Sequence, residues 1–154
     1  MDVLVAAAEL VAPPDHLLDV DDPDLLLPGS MASRINAQRS ARGLPKLEEH
    51  PAAMSQFASL IFHSLATRYA QVLRDATKLT GRNIRRIAIV GGGSRNGLLN
   101  RLTAEATGLQ VFCGAAESST IGNFAIQLAA WEESSNDPAR IAHWARILTG
   151  PIDF

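Results

Sequence analysis

The sequence predicts an α/β fold with parallel strands. From residue 84 onward, short apolar strands alternate with amphipathic helices, and this order favours parallel pairing because each helix carries the chain back to the start of the sheet. Three consecutive glycines, Gly91 to Gly93, directly follow the first strand. Only two strands are clear, and a stable sheet normally needs three or more. We therefore expect these two strands to belong to a larger sheet.

The first fifty residues predict short helices and an irregular connector. Val3 to Ala12 fits a short helix. Residues 13–30 contain four prolines and five aspartates, a composition typical of extended chain. Ser30 is placed to cap a helix that runs to about Arg42 and ends at Gly43. We expect the connector to lie against a surface through its leucines, which are Leu17, Leu18, Leu25, Leu26 and Leu27.

Residues 51–79 predict one long helix. Pro51 suits the first helical position, and Gly81 ends the pattern. An unbroken helix of this length would run roughly 43 Å at 1.5 Å per residue. Its apolar residues follow a spacing of three to four, and they are Phe57, Ile61, Leu65, Tyr69, Val72, Leu73, Ala76 and Leu79.

The second half of the chain predicts two strands and three helices. We expect Cys113, at the end of the second strand, to be a small core residue. In the last helix we expect Ile141, Trp144, Ala145 and Leu148 to face inward. The predicted elements are a buried strand at Ile84 to Val90, a helix at Asn96 to Thr107, a strand at Leu109 to Cys113, a helix from Thr120 to about Glu132, and a helix opened by Asn136, Asp137 and Pro138 and ended by Gly150.

Charge and cysteine content exclude several classes of partner. The net charge is −2, from 14 basic and 16 acidic residues, which gives no field that would hold nucleic acid or an anionic membrane. One cysteine allows no internal disulfide and no cysteine-based zinc site. No apolar run approaches the length of a membrane span. We expect a cytoplasmic protein without nucleic-acid or membrane partners.

The three glycines predict a nucleotide or phosphate site. Gly91, Gly92 and Gly93 can adopt positive φ and have no Cβ, so a ligand can lie on their peptide planes. Ser94 and Asn96 add short polar side chains at the start of the following helix. The alternative is a tight strand-to-helix turn that binds nothing.

Two kinds of nucleotide site remain open from the residues themselves. Gly91, Gly93 and Gly97 approximate a dinucleotide fingerprint, and Glu117 follows Gly97 by 20 residues, where a ribose-binding acid is expected. That fingerprint, however, normally opens a domain of six strands. A P-loop is excluded, because the sequence has no G-K-[ST].

A resemblance favours a different nucleotide site. VGGGSRNGLLNRLTAEATGLQVFCGAAESSTIGNFAIQLAA, residues 90–130, resembles the C-terminal nucleotide-binding segment of the FGGY carbohydrate kinases, most closely the rhamnulokinases. The similarity extends to LLDVDDPDLLLPGSMASRI (residues 17–35) and to residues 65–96, and covers roughly residues 15–150. It implies the C-terminal part of an actin-like, ribonuclease H-like ATPase lobe in a two-lobed sugar kinase.

The resemblance also implies an activity and a set of site residues. These kinases transfer the γ-phosphoryl group of ATP to a sugar hydroxyl, here a deoxy-ketose such as rhamnulose. Gly91, Gly92, Gly93 and Ser94 would lie beside ATP or ADP, and Asn96 would contact the adenine or ribose. Mg²⁺ would be held by the nucleotide and by an N-terminal lobe that also binds the sugar. We expect a connector with short helices over residues 1–50 and the nucleotide-binding subdomain over residues 51–154.

The catalytic parts of such a kinase do not occur in this sequence. The family's D-x-G-[ST] phosphate loop is absent, and none of the aspartates matches the catalytic position. We predict no catalytic residue and no metal ligand. We expect a C-terminal fragment that is not competent for transfer without a complementing N-terminal fragment. The alternatives are an NAD(P)-binding Rossmann-type module and a non-catalytic interaction domain.

Overall fold

The computed structural model describes residues 2–133 and 137–149. They form a helix-dominated α/β structure with a small sheet, which confirms the predicted class in its coarse form. The described elements in chain order are α1 (Asp2–Glu9), α2 (Met31–Ala41), α3 (Met54–Thr80), β1 (Arg86–Ile89), α4 (Gly97–Thr107), β2 (Gln110–Cys113), α5 (Ser118–Glu133) and α6 (Pro138–Thr149).

The chain divides into two compact units. The first comprises the residues up to Arg85 together with Leu98–Leu109, and the second comprises Arg86–Gly97 together with the described residues from Gln110 onward. The connector and the long helix α3 thus share one unit. The boundary that the sequence suggests at residue 50 stays a prediction.

Helix boundaries follow the local signals in the sequence. Ser30 caps α2, where its side chain accepts a hydrogen bond from the Ser33 backbone N–H. Gly81 ends α3 in the left-handed conformation, with φ of 65°, which costs glycine little because it has no Cβ. Pro51 opens a short 3₁₀ turn that leads into α3. The last helix begins at Pro138, one of the three residues predicted to open it, whereas Asn136 and the predicted end at Gly150 lie outside the described residues.

Helix α3 is the centre of the first unit. On one side, Ala58 and Ala66 pack with Ala8 of α1 and with Leu98 and Leu102 of α4. A second cluster joins α3 to α2 and the connector, and its members are Ile35, Phe57, Leu60, Leu18, Leu25, Ala32, Leu47, Met54 and Ile61. Burial of these apolar groups stabilises the unit, at about 25 cal/mol for each Å² removed from water.

The face that α3 buries differs from the predicted one. Small residues provide most of it, including Ala58, Ala66 and Ala70, because they allow the neighbouring helices to approach closely. Of the apolar residues predicted from the helical spacing, Tyr69 and Val72 are exposed, and Leu79 is 87% exposed. The connector leucines are also divided. Leu18 and Leu25 pack against α2 and α3, whereas Leu26 and Leu27 are exposed.

A buried asparagine ties α2 to the segment that precedes α3. Asn36 is 2% exposed. Its Nδ2 donates to the Leu47 carbonyl at 2.8 Å and to Glu49 Oε1 at 3.0 Å, and its Oδ1 accepts from the Leu47 N–H at 2.8 Å. One side chain therefore pairs with both backbone polar groups of Leu47.

Hydrogen bonds from Asn36, and then from Ser33, hold the pKa of Glu49 below its ordinary value of 4.5. A carboxyl group with a lowered folded pKa stabilises the fold above its ordinary pKa and loses that contribution as the pH falls through the folded value. We therefore expect the hydrogen bonds of Glu49 with Asn36 and Ser33 to weaken in acid and to be intact at neutral pH.

The second unit contains the sheet. Strands β1 and β2 pair in parallel, with Arg86 opposite Gln110 and Ile89 opposite Cys113. The predicted burial of these strands is wrong. Their residues are half-buried or exposed, and the Cys113 thiol is exposed and does not belong to the core. Over the described residues the sheet has two strands, so neighbouring strands do not cover its edges.

Helices α5 and α6 pack on each other in the same unit. Ala125 and Ala129 are completely buried on α5. At the other end of α5, the Trp144 indole N–H donates to Glu132 Oε2 at 3.1 Å. Leu148 is 39% exposed, so its predicted inward orientation is wrong. Within residues 2–133 and 137–149, no helix is long and apolar enough to cross a membrane.

Asn36→Ala should destabilise the first unit by about 1–3 kcal/mol, because it removes a buried side chain and leaves the half-buried N–H and C=O of Leu47 without their partner. Urea denaturation followed by circular dichroism measures this change. Asn83→Ala is the matched control, because Asn83 is an exposed asparagine, and it should change stability by less than about 0.5 kcal/mol. Equal effects at both positions would contradict the structural role of Asn36.

Candidate functional site

The glycine loop and a second loop meet at one edge of the sheet. Parallel strands end at the same edge, so the segments after Ile89 and after Cys113 emerge side by side. The Gly114 N–H donates to the Ile89 carbonyl at 2.8 Å, and the Gly91 N–H donates to the Ala115 carbonyl at 3.1 Å. Backbone pairing thus continues from the strands into both loops.

Gly91 has a conformation that only glycine adopts readily. Its φ is 77° and its ψ is −164°, a region closed to other residues by clashes of the Cβ. A Cβ built there would also lie 3.9 Å from the Ala116 carbonyl oxygen. The first glycine of the loop is therefore required by the path of the backbone.

A 3₁₀ turn, Gly92–Arg95, lies between β1 and α4. The Ser94 N–H donates to the Gly91 carbonyl at 3.1 Å, and the Ser94 hydroxyl donates to the same oxygen at 2.8 Å. The Asn96 N–H donates to the Gly93 carbonyl at 3.1 Å. Ser94 therefore stabilises the 3₁₀ turn through two hydrogen bonds to one carbonyl oxygen.

The fold does not require glycine at the next position. Gly92 lacks a positive φ, and among the described residues no neighbouring heavy atom lies within 4 Å of a Cβ built there. A Cβ at Gly93 would meet only Ile89 Cγ2, at an ordinary contact distance of 3.9 Å. Both residues are exposed. The absence of side chains at these two positions leaves their peptide planes accessible to a ligand.

The second loop, Gly114 to Ser118, lies beside the glycine loop and was not among the predicted binding residues. A Cβ at Gly114 would lie 2.9 Å from Val90 Cγ1, so a side chain there would displace the residue that leads into the glycine loop. The Ser118 hydroxyl donates to the Ala115 carbonyl, which fixes the turn. A sequence signal existed, because Gly114 follows β2 as Gly91 follows β1.

All five predicted binding residues lie in one continuous segment of the second unit. Gly92 and Gly93 are exposed, and Gly91, Ser94 and Asn96 are half-buried. Arg95, at the end of the 3₁₀ turn, is also exposed and adds positive charge near the loop. The loop thus has two exposed glycines and an exposed arginine in one short segment.

Three connector aspartates are occupied by structural contacts in the first unit. Asp21 Oδ2 lies 2.6 Å from Arg68 Nη2, and Asp19 Oδ1 accepts from the Asp21 N–H at 3.1 Å. Hydrogen bonds from Gln38 and from the Asp24 N–H hold the pKa of Asp22 below its ordinary value. Its carboxylate accepts hydrogen bonds from the Gln38 side chain at 2.8 Å and from the Asp24 N–H at 3.0 Å, and so holds the connector in place.

The described residues do not offer a metal site of their own. Across residues 2–133 and 137–149, no group of three or more His, Cys, Asp or Glu side chains is placed to hold a metal ion.

Comparison with known proteins identifies the family of this chain. Residues 3–131 match the family model described as FGGY family of carbohydrate kinases, C-terminal domain. The chain belongs to this family. It is also similar to a protein of Klebsiella pneumoniae (strain 342) named rhamnulokinase, with 39% identity over 120 residues. The aligned part is 78% of this chain and 24% of the relative.

The family match confirms the resemblance noted from the glycine loop and the connector. It runs from α1 into the last turn of α5 and does not include α6. The chain spans about a quarter of the length of the curated relative. What the sequence and structure share with the family is thus its C-terminal domain.

Gly91→Ala should lower stability by about 1–3 kcal/mol, because alanine is strained at this φ and ψ. Gly92→Ala should be neutral or stabilise slightly, because it reduces the freedom of the unfolded chain without a clash. Thermal unfolding of the two variants measures the difference. Equal loss of stability in both would contradict the loop conformation described here.

Proposed function

We propose that this chain provides the adenine-nucleotide site of a carbohydrate kinase. The observation that carries the proposal is the pair of exposed glycines, Gly92 and Gly93, at the carboxyl end of β1. Neither the backbone conformation nor the packing of the described residues explains them. A ligand that lies on the peptide planes does, and an open α/β sheet binds its ligands at this edge.

The proposed binding mode uses the backbone and two side chains. The phosphates lie along the glycine loop, where N–H groups and the nearby charge of Arg95 favour an anion. The Asn96 amide has both a donor and an acceptor, which suits the edge of an adenine ring. Ser94 acts indirectly, since its hydroxyl holds the Gly91 carbonyl.

In the proposed reaction the γ-phosphoryl group of ATP moves to a sugar hydroxyl. Such a transfer depends mainly on positioning and on electrostatic stabilisation of the phosphoryl group. This chain would orient the nucleotide. The base that takes the hydroxyl proton, the ligands of Mg²⁺ and the sugar contacts would come from the part of the relative that lies beyond this alignment.

We propose a deoxy-ketose such as rhamnulose as the substrate, because the curated relative is named rhamnulokinase. With it we propose an actin-like arrangement of two lobes, a cytoplasmic location where ATP is supplied, and a complementing N-terminal region as partner. Membership of a kinase family also favours this function over the NAD(P)-binding interpretation of the same glycines.

Isothermal titration calorimetry should detect ATP and ADP binding to the purified chain. Asn96→Ala should weaken both by roughly tenfold, the effect of about 1.4 kcal/mol, because the adenine loses its paired hydrogen bonds. Asn83→Ala should leave both affinities unchanged.

NADH provides the contrary outcome. Binding of NADH that is tighter than binding of ATP would contradict the kinase proposal and restore the dinucleotide interpretation. A folded chain that binds neither ligand would instead support an interaction domain that kept the fold of the family.

A further inference from the structure

Glu117 lies in the second loop, beside the glycine loop. It follows Ala116, whose carbonyl oxygen is the atom that a Cβ at Gly91 would approach to 3.9 Å. The preceding residue, Ala115, accepts a hydrogen bond from the Gly91 N–H at 3.1 Å. The path of the backbone therefore brings Glu117 next to the proposed nucleotide site.

The side chain of Glu117 has no assigned duty in the fold. The residue is exposed, and its carboxylate has no hydrogen-bond or ion-pair partner among the described residues. Its backbone carbonyl accepts from the Ile121 N–H at 2.9 Å, which places Glu117 directly before the first turn of α5. A negative charge at this end of a helix is favoured by the helix dipole. The helix-dipole benefit affects stability, whereas a ligand contact affects the preference between nucleotides, so a binding measurement separates the two roles.

The chemistry of a carboxylate restricts what it can contact in a nucleotide. An ionised carboxylate only accepts hydrogen bonds, and it repels phosphates. The donors of an adenine nucleotide are the exocyclic amino group and the ribose hydroxyls. Because Asn96 already matches the base edge, the hydroxyls remain for Glu117.

The order of elements supports the same assignment. A strand, a glycine loop, a helix and a second parallel strand precede Glu117. In dinucleotide-binding folds with this order, an acid about 20 residues past the loop binds the ribose hydroxyls. Glu117 follows Gly97 by 20 residues, in a chain of a different family.

We propose that Glu117 accepts hydrogen bonds from the ribose hydroxyls of the bound nucleotide and so makes the site select ribonucleotides over deoxyribonucleotides. This inference rests on the proposed nucleotide-binding function. Glu117 is a specificity residue in this account, with no part in moving the phosphoryl group.

The test compares calorimetric affinities for ATP, 2′-deoxy-ATP and 3′-deoxy-ATP in four forms of the chain. The wild type should bind ATP about tenfold more tightly than at least one deoxy analogue, as expected for a hydrogen bond to a charged group. Glu117→Ala should remove that preference. Glu117→Gln loses the charge but keeps an acceptor oxygen, so it should retain part of the preference.

Glu105→Ala is the matched control, because Glu105 is an exposed glutamate of α4 whose nearest ion-pair contact, to Arg101, is 3.7 Å. It should keep the full preference for ATP. If wild type binds ATP but Glu117→Ala shows the same preference, the inference is wrong and the proposed function stands. If wild type binds none of the three nucleotides, both are wrong.

Discussion

Two backbone hydrogen bonds, just beyond the last residue pair of the parallel strands, determine the shape of the candidate site. One joins Gly114 to Ile89 and the other joins Gly91 to Ala115. They hold the two loops together, while Gly92 and Gly93 stay exposed. The required conformation of Gly91, the 3₁₀ turn and the position of Glu117 all follow from this pairing. A change that separates the loops would remove the site without touching a ligand-binding side chain.

The first unit is held together by helix packing and by one buried side-chain amide. Helix α3 packs with its neighbours through small residues such as Ala58 and Ala66, and one buried amide, Asn36, pairs with both backbone polar groups of Leu47 in the segment before it. Past Ala70, α3 has no fully buried residue, and Val72 and Leu79 are exposed. The residues of the proposed nucleotide site belong to the second unit.

Local signals made much of the structure predictable. Ser30 and Gly81 mark helix ends because capping and left-handed conformation depend on the residue itself. The turn after β1 was predictable for the same reason, because Gly91 has a positive φ that glycine adopts readily. Burial was harder to predict, since it depends on what covers an element. The apolar residues of β1 and the exposed Cys113 show that a strand sequence alone does not reveal whether its sheet is covered.

Long-range contacts were the least predictable. The hydrogen bonds of Asn36 join residues separated by 11 and 13 positions, and no regular spacing in the sequence predicts them. The second loop could have been found in part, because parallel strands place their carboxyl ends together and Gly114 follows β2. A side chain at Gly114 would collide with Val90. That conflict depends on how the two loops pack, which the sequence does not show.

The most direct test of the central claim is an ATP titration of the isotope-labelled chain followed by amide NMR. The account predicts that the largest shifts fall on the backbone N–H groups of residues 91–96, with a second set on residues 114–117. Shifts confined to α1, α2 and α3, or an unchanged spectrum from a folded chain at millimolar ATP, would contradict it.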